Sequence, residues 1–134
     1  DYFITILLTL AFMIPICLTT FIFSHKILLF IFGENFINAS ESLKWLTVAA
    51  TFLAANTISM NFIASKKVPL FMILTLSFCT LLNVSLNYVL LKNIGVHGAA
   101  ISSFISYFSI FILNIFYILF LYKNKKEFEI ESNN

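Results

Sequence analysis

Four stretches of this chain carry no charged residue and are each long enough to cross a lipid bilayer: 2–24, 45–65, 68–91 and 98–122. A helix rising about 1.5 Å per residue needs about 20 residues to span a hydrocarbon layer of about 30 Å. None of the stretches alternates with period two as a barrel strand does, and backbone in lipid must be helical or closed into a barrel. The sequence therefore predicts an all-α, polytopic chain with four transmembrane helices, over about 3–24 (with an extension to 32 left open), 39–65, 69–91 and 98–122.

Composition closes off the alternatives. Of 134 residues, 60% are hydrophobic and only 10% charged, against about 45–50% and about 25% in soluble domains. Mean hydropathy is +0.99. So few charges cannot cover the wet surface of a soluble fold of this size, which excludes a soluble enzyme and a disordered chain. The net charge is +2, and the eight cations are all lysines lying outside the apolar runs. That pattern does not form the clustered cationic groove that nucleic acid requires. Cys17 and Cys79 both sit mid-run in apolar sequence, where a cysteine behaves as a small hydrophobe, and no disulfide is expected. The chain opens on Asp1 rather than Met, and its first run lacks a basic leader and a small-residue cleavage site. It reads as part of a longer protein without a signal peptide at this point.

Punctuation between the runs organises the rest. Pro15 removes one backbone hydrogen bond from the first helix and predicts a kink near Ala11. After His25 and Lys26 comes a second apolar patch, 27–32, stopped by Gly33 as the residue after the helix end. That patch either prolongs the first helix or lies along the membrane surface. Asn38 and Glu41 have the spacing of a capping box, which starts the second helix near Ala39, and Lys44 with Trp45 marks the headgroup level. The second helix stops at Ser65-Lys66-Lys67, and Pro69 opens the third. Only about three residues separate the two, which makes them antiparallel neighbours. Gly95 to Gly98 turns the chain into the fourth helix, and the lysine-rich and acidic segment 123–134 is a polar tail expected to fray. With four crossings, Lys66, Lys67, Lys123, Lys125 and Lys126 share one side, and Lys26, Lys44 and Lys92 the other. Five lysines against three favour a cytoplasmic 66–67 loop and C-terminus.

No Asp, Glu, Lys, Arg or His falls within the four runs. Proton-coupled pumps need an ionisable group at membrane depth, and lipid-processing enzymes need an acid, a base or a metal ligand near the interface. His25 and His97 have no Cys or carboxylate at metal spacing, so they read as interfacial hydrogen-bonding residues. Neither catalysis, a metal nor a cofactor is expected. Neutral polar residues instead fall on helix faces: Thr80, Asn83 and Asn87 on the third; Gly98, Ser102, Ser106 and Ser109 on the fourth, with Asn114 and Tyr117 lower down; Asn56, Ser59 and Met60, and also Thr57 and Asn61, on the second. Two readings stand. Small residues let helices approach and Asn, Ser and Thr hydrogen-bond across them at about 0.6–2 kcal/mol each; or the same groups line a wet cavity suited to sugars. The cavity candidates are Asn56, Asn61, Asn83, Asn87, Ser102, Ser106 and Asn114, with Pro15 either a static kink or a working bend.

The order of these features resembles a known pattern. A proline-containing helix runs into LLFIFGENFINASESLKWL, a basic turn ASKKVPL follows, then LLNVSLNYVLL and KNIGVHGAAISSFISY. This is similar, over about residues 3–122, to the C-terminal region of bacterial polysaccharide biosynthesis proteins. These are the O-antigen and oligosaccharide-lipid flippases of the multidrug/oligosaccharidyl-lipid/polysaccharide exporter superfamily. The most specific parts are Phe32 to Phe36 followed by Ala39, and Ile94 to Ala100. Members commonly have Gly-Lys where this chain has Lys66-Lys67. The resemblance implies a half-bundle of an exporter fold, completed by an N-terminal bundle of the same protein in a bacterial inner membrane. It implies a polyprenyl-diphosphate-linked glycan, an O-antigen or capsule repeat unit, as substrate, moved by alternating access. Cavity cations that hold the diphosphate in such proteins have no counterpart in these runs. A cation or drug antiporter of the same superfamily and a small structural membrane subunit are the alternatives.

Overall fold

The computed structural model describes residues 2–131, with side chains described for 2–68 and 70–123. The described residues are all-α: α1 (Tyr2–Phe32), a 3-10 segment (Glu34–Ala39), α2 (Ser40–Ser65), α3 (Pro69–Ile94) and α4 (Val96–Glu131). All four α-helices are long and apolar enough to cross a membrane.

The local endings differ from expectation in instructive ways. α1 runs unbroken through Pro15 and takes in the 27–32 patch, so that patch prolongs the helix. Gly33 ends it at φ 79°, a region open to glycine, with its N–H on the Leu29 carbonyl at 3.1 Å. The expected capping box is absent. The chain makes a 3-10 turn over Glu34–Ala39, α2 begins at Ser40, and no side chain caps it. Asn38 is thereby spent inside the 3-10 segment, one residue too early to serve as the cap. α3 continues to Ile94, three residues beyond the expected end, and α4 starts two residues early and is helical as far as Glu131, into the segment read as a polar tail.

Cross-helix contacts fix the packing. Tyr2 meets Ser59, and Lys44 lies over Phe21, so α1 and α2 are antiparallel. Ser42 meets His97 at one end of the molecule and Phe62 stacks near Tyr122 at the other, so α2 and α4 run parallel. Leu90 approaches Gly98, and Phe71 stacks on Tyr117 at 3.7 Å, so α3 and α4 are antiparallel. The helices form a row, α1–α2–α4–α3. The expectation that α2 and α3 are packed neighbours holds only for their direction: they touch little, and each lies chiefly against α4. A short turn fixes direction, whereas the faces able to approach closely decide who packs on whom.

Those faces are small and polar. The most buried residues include Ala49, Ala55, Ser59, Ala100, Ser102, Ser106 and Asn114, with Ile63 and Ile118 the bulkiest fully buried side chains. None of the phenylalanines with described side chains is buried. Large apolar groups such as Phe12, Leu7 and Ile22 point outward instead. Hydrocarbon gives them no reason to hide, so helix association rests on close packing and hydrogen bonds.

Gly98 is the tightest point. A Cβ there would lie 2.8 Å from Leu90 Cβ and nearer still to the Leu90 carbonyl. The glycine is therefore what lets the start of α4 rest on the end of α3. At the opposite end the α2–α3 turn places Lys67 in the left-handed region, at φ 59°, where a side chain costs about 1 kcal/mol.

Candidate functional site

The seven polar candidates divide into two bonded clusters and one open slot. In the first cluster, Asn56 of α2 donates to the Tyr107 carbonyl of α4 at 2.8 Å, and its Oδ1 accepts from Asn114 Nδ2 at 3.2 Å. Asn56 is 5% exposed and Asn114 fully buried. Among the described residues Asn114 Oδ1 finds no partner, a deficit of about 1–3 kcal/mol. In the second cluster, Asn87 donates to Asn83 Oδ1 at 2.8 Å and accepts from Ser102 Oγ of α4, also at 2.8 Å. Ser106, fully buried, donates to the Ser102 carbonyl of its own helix. Asn83, Asn87, Ser102, Ser106 and Asn114 line no part of the slot. Asn87 and Ser102 meet across the α3–α4 seam and Asn114 meets Asn56 across the α2–α4 seam, Ser106 is buried on α4, and half-buried Asn83 is bonded within its own helix.

The slot lies between α2 and α3 with α4 behind it. It is about 250 Å³ and is lined by Leu53, Asn56, Thr57, Met60 and Asn61, by Met72, Leu76 and Cys79, and by Tyr107 and Ile110. Asn61 is exposed there, and its amide hydrogen-bonds to none of the described residues. Thr57 donates to its own helix, to the Leu53 carbonyl at 3.0 Å, which leaves its oxygen free to accept. The slot exists because α2 and α3 diverge from their turn while both lean on α4. Its walls are mostly apolar, with the polar groups gathered on α2. On this geometry it can hold and hydrogen-bond an uncharged or hydroxyl-rich group, and its lining carries no Asp, Glu, Lys, Arg or His. Cys79 lines it, and Cys79 and Cys17 are both free thiols. No group of three His, Cys, Asp or Glu suited to a metal occurs among the described residues.

Two features escaped the sequence reading. Tyr107 enters the first cluster through its backbone, which no side-chain pattern announces. At the other membrane face Ser42 Oγ and His97 Nδ1 share a 2.8 Å hydrogen bond, and Glu41 Oε2 lies 3.9 Å from His97 Nε2. His97 does act as a hydrogen-bonding residue at a helix end, but its partners lie 55 residues and more away in sequence. No family model matches the chain, and no curated protein or solved structure does so either.

Proposed function

We propose that this chain forms part of a non-enzymatic membrane exporter that flips a polyprenyl-diphosphate-linked oligosaccharide, an O-antigen or capsule repeat unit, across a bacterial inner membrane by alternating access. The observation that carries the reading is Asn61. A primary amide exposed within the uncharged 45–65 run, with no partner among the described residues, is costly against lipid. It is satisfied by a hydrated ligand in the slot that it shares with Asn56 and Thr57. The sequence resemblance points the same way.

The physics of the step is desolvation. Glycan hydroxyls crossing bare hydrocarbon lose their hydrogen bonds at several kcal/mol apiece, and the Thr57 and Asn61 groups on the α2 side of the slot lower that barrier while the prenyl tail stays in lipid. Rocking of one bundle against another, here an N-terminal bundle of the same protein, then opens the slot to each side in turn. The diphosphate would find its cations in that other bundle, since the slot has none. By the lysine count, the 66–67 turn and the C-terminus face the cytoplasm. Cation antiport requires a carboxylate at membrane depth, and the uncharged runs contain none.

The test is complementation of a strain lacking its glycan flippase with the full-length gene. Combined Thr57→Val and Asn61→Leu should cut surface polysaccharide by about tenfold, the order expected from losing one or two desolvated hydrogen bonds, at unchanged membrane abundance. Wild-type polysaccharide in that variant would overturn the reading.

A further inference from the structure

A second pocket, at the opposite membrane face from the Lys66–Lys67 turn, carries a combination of groups that the export reading does not use. It is about 330 Å³ and is lined by Phe21 of α1 and by Glu41, Lys44, Trp45 and Val48 of α2. Lys44 Nζ stands 5.3 Å from the centre of the Phe21 ring. Trp45, 40% exposed, rests its ring against Phe104 of α4 at 5.3 Å. The Glu41 side chain is 73% exposed, and His97 at 3.9 Å is its one ion-pair contact among the described residues. Glu41 and Lys44 do not pair with each other, although they sit three residues apart on one helix.

An ammonium and a carboxylate on one pocket rim, each left without the other, describe a ligand of mixed charge. Lysine and tryptophan together mark the headgroup layer of the bilayer. The ligand therefore belongs to that layer and has a phosphate for Lys44 and a cation for Glu41. Side chains three apart on a helix lie on one face, so one headgroup can reach both. The cation must also donate hydrogen bonds, because a carboxylate is acceptor-only. A primary ammonium does so and a quaternary one does not. A purely anionic headgroup would satisfy Lys44 and meet repulsion from Glu41. Phe21, Val48 and the Trp45 face supply the apolar floor on which the glycerol and the first methylenes rest.

We propose that this pocket binds a bilayer phospholipid through its phosphoethanolamine headgroup, with the phosphate on Lys44, the ammonium on Glu41 and the lipid's upper acyl carbons against Phe21, Val48 and Trp45. The site clips α1 to α2 at that membrane face.

Tryptophan quenching tests it directly. The full protein, with any tryptophan outside these 134 residues replaced by phenylalanine so that Trp45 alone reports, is placed in phosphatidylcholine nanodiscs. These are doped with phosphatidylethanolamine, phosphatidylglycerol or phosphatidylcholine brominated near the top of the acyl chain. Brominated phosphatidylethanolamine should quench Trp45 at about fivefold lower mole fraction than either of the others, the effect of one favourable headgroup charge contact. Glu41→Gln, which keeps size and helix propensity, should erase that preference, and Lys44→Gln should weaken quenching by phosphatidylethanolamine and phosphatidylglycerol alike. Equal quenching by all three lipids, strongest quenching by phosphatidylglycerol, or an unchanged preference in Glu41→Gln would each overturn the proposal. Glycan export plays no part in the readout, so failure here and failure of the export reading are separate results.

Discussion

α4 has two flanks, and they are built on different terms. Towards α2 it runs parallel, and the seam is wide and mixed: Phe52 meets Phe104, Phe108 and Phe111 edge-on, and Asn56 and Asn114 join through their amides. Towards α3 it runs antiparallel, and the seam depends on one close approach at Gly98, one relay through Ser102 and Asn87, and one stacked pair, Phe71 on Tyr117. Both flanks are extensive, but the first is joined by edge-on rings and paired amides and the second by close backbone approach and a stacked pair. α2 and α3 each lie on α4 and meet each other little, so the slot is left between them. In a membrane, where apolar area gives helices no reason to associate, what matters is where small residues permit contact.

The sharpest way to break the comparison is at Gly98. Gly98→Ala places a methyl against the Leu90 backbone and should cost about 3 kcal/mol, the upper range for overpacking. It should also separate α3 from α4, read as a lower unfolding midpoint in detergent and a larger distance between spin labels on the two helices. The α2 flank responds to a different lesion. Asn114→Ala strips Asn56 Oδ1 of its donor and should cost about 1–3 kcal/mol. The Asn56→Ala and Asn114→Ala pair should cost less than the sum of the singles, by about 0.6 kcal/mol. A strictly additive pair would mean that the amides do not cooperate. Asn87→Leu should lower stability by about 1 kcal/mol, while Asn61→Leu, which has no bond to lose, should leave the midpoint unchanged or raise it. The reverse order would erase the distinction between seam and slot. The smallest effect belongs to the turn joining the two helices that do not pack: Lys67→Gly relieves a left-handed residue and should add about 0.5–1 kcal/mol.

The four spans were legible in the sequence because lipid demands long uncharged runs and any such run must coil. The serine face of α4 was legible for the same reason: Ser102 and Ser106 recur at helical spacing, and both are fully buried. What the sequence did not reveal was partner choice. The three-residue turn argued for α2 beside α3, but Gly98 and Ser102 seat α4 on α3, and Asn56 meets α4 through Tyr107 and Asn114, 51 and 58 residues away. Asn83 and Asn87 read as cavity groups because two amides on one face exceed what packing usually needs. In the structure Asn87 donates to Asn83 and accepts from Ser102, a link between α3 and α4 that no spacing within α3 announces. The capping box failed on a matter of one residue, since a 3-10 segment consumed Asn38 before α2 could use it. Asn61 was named from its face alone, and its lack of a partner could be read only once its surroundings were known.

The length of α1 has a mechanical consequence. Thirty-one residues rise about 46 Å, well beyond a hydrocarbon slab of about 30 Å, so this helix must lean or overshoot, and thinner bilayers make it lean further. Its first residue with a described side chain is tethered, through the hydroxyl of Tyr2 on Ser59 at 2.9 Å. Its far half is held as well, with Ser24 and Leu28 buried and Lys44 over Phe21, so a change of tilt strains the contacts of α1 with α2 at both ends. Bilayer thickness becomes an input to the spacing of the two helices.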